Sequence, residues 1–96
     1  MHRLLLVTLL MVVCCRRFAV NLRHQESGGD IVLHFNPRLQ NGVVVRNSSI
    51  GGTWGDEERQ QPSFPFVAGQ VCQLIILVEH NQFKVCVTWT LILHTN

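Results

Sequence analysis

Apolar residues in this chain come in short runs, and each run is cut by residues that turn the backbone. Gly28-Gly29, Gln40-Asn41-Gly42, Gly51-Gly52 and His80-Asn81-Gln82 divide the stretch after residue 17 into short segments. Such punctuation favours strands joined by turns. The strands read as residues 18–22, 31–35 running on into 36–38, 43–46 ending at Asn47, 71–78 and 83–88. Pro37 cannot donate to a sheet ladder, so it marks an edge, a bulge or a strand end. Residues 48–53 read as a loop, 54–59 as a short polar segment, and 60–65 as an irregular connector with two prolines. Residues 89–96 are β-prone but offer no turn or partner signal. No amphipathic helix and no internal repeat is visible. The pattern predicts one all-β domain, an antiparallel β-sandwich or jelly roll.

The first seventeen residues break this pattern. Residues 4–15 are apolar except for Thr8, after Arg3 and before Arg16-Arg17. The run is shorter than the roughly 20 residues of a spanning helix. Its length and basic start suit a signal-peptide core or a membrane anchor, although Val-Val-Cys-Cys-Arg-Arg lacks a small-residue cleavage pattern. A buried strand or helix is the alternative. Residues 1–17 are therefore set apart as an apolar leader, and 18–96 form the domain. Membrane contact, if any, is expected only through the leader.

Net charge is +2 and the basic residues are scattered, which does not suggest a nucleic-acid partner. The four cysteines, Cys14, Cys15, Cys72 and Cys86, show no metal-binding spacing. They read as free thiols in a reducing compartment. No cofactor or metal is expected.

The chemistry concentrates in residues 34–59. His34, Asn36 and Arg38 alternate with Phe35 and Pro37, so on a strand they share one face while Leu33 and Phe35 take the other. Histidine offers a donor or an acceptor, asparagine both, and arginine a fixed fork of donors. Together they can surround a hydroxyl that both gives and takes a hydrogen bond. Asn47 can add an amide, and Glu57 and Arg59 share a face. Trp54 adds a flat apolar surface on which a pyranose ring can stack. Taken singly, His34 would be an ordinary histidine, Trp54 a core aromatic and Asp56-Glu57-Glu58 a solvated turn. Arg46 and Lys84 read as solvent-facing strand residues.

Taken together, His34-Phe35-Asn36-Pro37-Arg38, Val44-Val45-Arg46-Asn47 and Trp54-Gly55-Asp56-Glu57-Glu58-Arg59 resemble the carbohydrate-recognition signature of galectins, the β-galactoside-binding lectins. The likeness extends over about residues 17–87. It implies a two-sheet β-sandwich and metal-independent binding of galactose-containing glycans on glycoproteins or glycolipids. On that likeness His34, Asn36 and Arg38 would contact the galactose C4 hydroxyl and its surroundings. Asn47 and Glu57 would hold the C6 hydroxyl, Trp54 would stack on the ring, and Glu57 and Arg59 would reach the neighbouring sugar.

Galectin domains carry further strands before residue 18 and after residue 87, so the resemblance implies an incomplete sandwich, truncated at both ends. Lost strands would leave apolar faces and open edges. The leader or the tail is expected to fill one gap but not all. Asn47-Ser48-Ser49 is also an N-glycosylation sequon, and a glycan there would block the site. Galectins work in the cytoplasm or leave cells without a signal peptide, so the motif and the leader point to different routes. Two functions stay open: a β-galactoside lectin, and a truncated galectin-like interaction protein with weak or no sugar binding. A glycosidase is disfavoured, because three adjacent acids do not supply two groups flanking a bond.

Overall fold

The computed structural model describes residues 4–87 and 90–95. Eight strands are seen among them: β1 (Leu4–Val13), β2 (Val20–His24), β3 (Asp30–Arg38), β4 (Val43–Ile50), β5 (Thr53–Trp54), β6 (Val71–Glu79), β7 (Phe83–Val87) and β8 (Thr90–Thr95). The helical structure among the described residues is a single 3-10 turn, Gln25–Ser27. All strand pairing is antiparallel, in two four-stranded sheets. The all-β antiparallel expectation therefore holds. The chain divides into two compact units, residues 16–60 and the remainder on either side of them.

The unit of residues 16–60 holds the sheet β2-β3-β4-β5. Leu33 and Phe35 are buried on one side of β3, as the alternation requires. Phe35 lies opposite Arg46, and Pro37 opposite Val44. The ladder between β2 and β3 ends at Val20↔Phe35. Beyond it the Phe18 amide donates to the Pro37 carbonyl at 3.2 Å. Pro37 thus sits at the end of its strand and uses its acceptor, where a missing N–H costs little.

β4 runs past Asn47 to Ile50, into the segment expected as a loop. Gly51 and Gly52 make this possible. Their positive φ angles, 61° and 82°, suit a two-residue hairpin turn that strands of normal twist accept. Ile50 then pairs with Thr53, and Ser49 with Trp54. The Gly51 amide donates to Asp30 Oδ1 at 3.0 Å. Beyond Trp54 the polar segment is irregular, apart from one bridge between Arg46 and Glu58.

The other unit holds the sheet β1-β6-β7-β8. Leu4–Val13, expected as leader, is a ten-residue strand along β6. Thr8 and Leu10 lie opposite Ile76 and Leu74, both fully buried. Val7, Leu9, Met11 and Val13 lie on the other side of the strand and are exposed. The tail, unplaced from sequence, forms β8 against β7; residues 88 and 89 lie outside the described residues. Lys84, expected in solvent, is half-buried and pairs with Glu79 at 3.5 Å. Among the described residues no helix is long and apolar enough to cross a membrane.

Candidate functional site

The register of β3 and β4 assembles the site. His34 lies opposite Asn47, and Asn36 opposite Val45, so these side chains share the sheet face that also carries Arg38. On β5, Trp54 lies opposite Ser49, two residues from Asn47. The Arg46–Glu58 bridge sends Glu58 to the Phe35 side and its neighbours Glu57 and Arg59 to the His34 side. His34, Arg38, Asn47, Trp54, Gly55 and Glu57 line one open cleft of about 350 Å³, the size range of small-molecule sites.

His34 is held from two sides. Its Nδ1 lies 2.6 Å from Asn21 Oδ1. An amide oxygen only accepts, so Nδ1 carries the proton and Nε2 presents a lone pair. Its ring meets Trp54 edge-on, with centroids 5.1 Å apart at 63°, a favoured aromatic geometry. Burial lowers its pKa from the ordinary 6.5, and the charges of Arg38 and Arg17 add to this while Glu57 opposes it. His34 is therefore neutral at pH 7. Trp54 remains half-exposed, leaving ring surface open.

Asn36 lies beneath the cleft. It is buried, donates from Nδ2 to the Phe18 carbonyl at 2.7 Å, and accepts from Arg38 Nε at 3.0 Å. It thereby aims Arg38, whose Nη2 lies 3.9 Å from Glu57 Oε2. Arg59 Nη2 donates to Glu57 Oε1 at 2.9 Å. That hydrogen bond holds the Glu57 carboxyl below the usual carboxylate range; burial opposes the shift, and the charges of Arg59, Arg38 and Arg17 reinforce it. Glu57 is thus a fixed acceptor between two guanidiniums. Arg59 is attached at the rim through Glu57.

Asn47 spends part of its amide on the backbone. Nδ2 donates to the Gly55 carbonyl at 2.9 Å, and Oδ1 accepts from the Ser48 amide at 2.8 Å. Gly55 is tied to Ser48 as well, amide to carbonyl at 3.0 Å. A Cβ on Gly55 would sit 3.3 Å from Asn47 Oδ1, closer than carbon and oxygen normally pack.

Of the seven expected residues, His34, Arg38, Asn47, Trp54 and Glu57 line the cleft, Asn36 supports it, and Arg59 borders it. Sequence reading missed Asn21, Gly55 and Arg46. Strand parity could have put Asn21 on the His34 face; its place directly opposite His34 comes from a ladder shifted two residues from an end-to-end pairing of 18–22 with 31–35. Arg46, expected in solvent, is only 2% exposed. It lies on the Phe35 side of the sheet and folds back against backbone carbonyls, so its strand parity, read correctly, already pointed inward. Among the described residues no group of three or more metal-ligating side chains is close enough to hold an ion.

The galactoside-binding lectin family model matches residues 6–94. The chain belongs to the galectins. Human galectin-4 is 47% identical over 70 residues, covering 73% of this chain and 21% of that protein. Human galectin-7 is 47% identical over 72 residues, covering 74% of this chain and 52% of that protein. The chain thus spans between about a fifth and a half of these relatives. Among solved structures, chicken galectin 2 matches with a TM-score of 0.77 at 27% identity, over 92% of this chain and 68% of that one. The Caenorhabditis elegans galectin LEC-6 matches at 0.72 and 34% identity, over 97% and 61%. The fold class is that of the galectin β-sandwich. The family consists of carbohydrate-binding lectins and not of enzymes.

Proposed function

We propose that this galectin chain binds β-galactoside-containing glycans without a metal ion, through the cleft around His34 and Trp54. The convergence of His34, Arg38, Asn47, Trp54 and Glu57 on one cleft carries this reading. The His34 Nε2 lone pair accepts from the axial C4 hydroxyl, and Arg38 donates to its oxygen. The two demands on one hydroxyl select galactose over a sugar with an equatorial C4 hydroxyl. Asn47 and Glu57 take the C6 hydroxyl, and Trp54 covers the apolar face of the ring. Arg59 and Glu57 reach the next sugar. Because Asn36, Asn21 and Arg59 already hold the cleft side chains, little rotamer entropy is lost on binding.

Glycans on glycoproteins or glycolipids are the proposed partners, met in the cytoplasm or outside the cell after secretion without a signal peptide. Retention of folded protein on immobilised lactose, with release by free lactose but not by sucrose, is the expected result. Passage of folded protein through the column contradicts the reading.

One observation favours a second reading, an interaction protein with little sugar binding. Val7, Leu9, Met11 and Val13 on β1 are 51%, 57%, 66% and 60% exposed, an apolar stripe of a kind that often marks a contact surface. Concentration-dependent association that lactose leaves unchanged supports that reading.

A further inference from the structure

We propose that Arg46 is a positioning residue for the Glu57–Arg59 end of the cleft; this rests on the galactoside reading above. Arg46 is buried in the middle of β4, opposite the fully buried Phe35. An apolar side chain would suit that place better. Its Nε has no hydrogen-bond partner among the described residues, and a buried, unsatisfied donor is costly. The compensation lies at the end of the guanidinium. Nη1 donates to the Val44 carbonyl at 2.8 Å, and Nη2 to the Gln60 carbonyl at 2.6 Å. Glu58 Oε2 adds a longer ionic contact at 3.9 Å.

The Arg46 backbone grips the same segment. Its amide donates to the Glu58 carbonyl at 2.9 Å, and the Glu58 amide donates to its carbonyl at 2.9 Å. Beyond Gly55 this bridge is the segment's single strand-like pairing among the described residues. Backbone and side chain of one residue therefore fix positions 58 and 60, and Glu57 and Arg59 alternate with them on the opposite side. Asn47 fastens the other end of the segment at Gly55. Arg46 thus touches no sugar, yet sets the height and direction of the pair that meets the second ring.

The consequence is selective. Loosening residues 57–60 harms recognition of a disaccharide more than that of galactose alone, which keeps its C4 contacts from β3 and its Asn47 contact at C6 and loses only the share of Glu57. A general loss of folded protein would weaken both ligands by the same factor. The test is calorimetric titration of lactose and of galactose into the wild-type chain, Arg46→Lys and Arg46→Met. It is joined by hydrogen exchange at the Glu58 amide without ligand. Lysine keeps the charge but cannot reach two carbonyls as a planar fork. For Arg46→Lys, lactose affinity is expected to fall about tenfold and galactose affinity about threefold or less, as loss of a charged hydrogen bond implies. Exchange at Glu58 accelerates. Equal losses for the two sugars, or unchanged exchange, overturn the proposal. Should Arg46→Met fail to fold, Arg46→Lys decides. Should the wild type bind neither sugar, the galactoside reading fails, and exchange at Glu58 still decides whether Arg46 holds the segment.

Discussion

His34 Nδ1 lies 2.6 Å from Asn21 Oδ1, across the β2–β3 ladder. The contact joins a cleft residue to one outside the cleft and fixes which ring nitrogen carries the proton. In Asn21→Ala the ring loses that anchor, and both tautomers and both ring flips become accessible. Lactose affinity is expected to fall about three- to tenfold, the worth of one hydrogen bond. Thermal stability should change little, since the site is near the surface. Calorimetry beside a melting curve separates the two effects.

The pH dependence follows from the same ring. Binding uses neutral His34, whose pKa lies below its ordinary 6.5, first through burial and then through Arg38 and Arg17. Lactose affinity should therefore be flat through neutral pH and decline only once pH falls through the lowered value. The folded-state pKa is depressed relative to the unfolded chain, so His34 contributes stability above the unfolded value of 6.5 and loses it as pH falls through the folded one. Glu57 does not titrate in this window, because its carboxyl is held low by Arg59. Affinities measured from about pH 8 to pH 5 check this; weakening that already starts above neutrality would contradict it.

Gly55 is expected to tolerate no side chain without cost to binding. The alanine methyl would approach Asn47 Oδ1 to 3.3 Å, and the amide must shift by a few tenths of an ångström. Asn47 is tied to Ser48 and Gly55, so the shift propagates to the segment carrying Glu57. For Gly55→Ala a lactose affinity loss of about threefold or more is expected, against a stability loss of about 1 kcal/mol or less. Titration calorimetry and denaturant unfolding of the same sample compare them.

Much of this was legible in the chain. The alternation at His34, Asn36 and Arg38 fixed a shared face, and the turn residues marked most strand ends. What escaped was set by contacts distant in sequence. Residues 48–50 join β4 only because Gly51-Gly52 returns the chain tightly enough for Ile50 to meet Thr53. Arg46 reads as a solvent residue by composition, yet its stem is buried and its head finds the carbonyls of Val44 and Gln60. For Leu4–Val13 composition left a buried strand open beside a leader, and only the edge of β6, distant in sequence, gives that strand its place. The tie of Asn36 to Phe18 and Arg38 likewise depends on distant contacts; it takes one amide N–H and one oxygen lone pair, and the other of each remains for a ligand.

The thiols should differ sharply in reactivity. Cys15 is exposed, Cys14 is buried, and Cys14 Sγ lies 3.8 Å from Cys72 Sγ. Burial, with the neighbouring Cys14, pushes the Cys72 thiol up to about 11, so its reactive thiolate is scarce at neutral pH. Iodoacetamide at neutral pH should label Cys15 first and Cys72 at least about tenfold more slowly. Mass spectrometry of a labelling time course reads this order, and equal rates would show that β1 does not protect Cys72 in solution.

Lactose titration of the isotope-labelled chain, followed by two-dimensional amide and indole NMR, tests the central claim most directly, since it reports binding and its location together. Saturable shifts are expected at His34, Asn47, Gly55, Glu57 and the Trp54 indole, with sucrose causing none. A dispersed, folded spectrum that lactose leaves unchanged, or shifts centred on β1 and β6 instead, would contradict it.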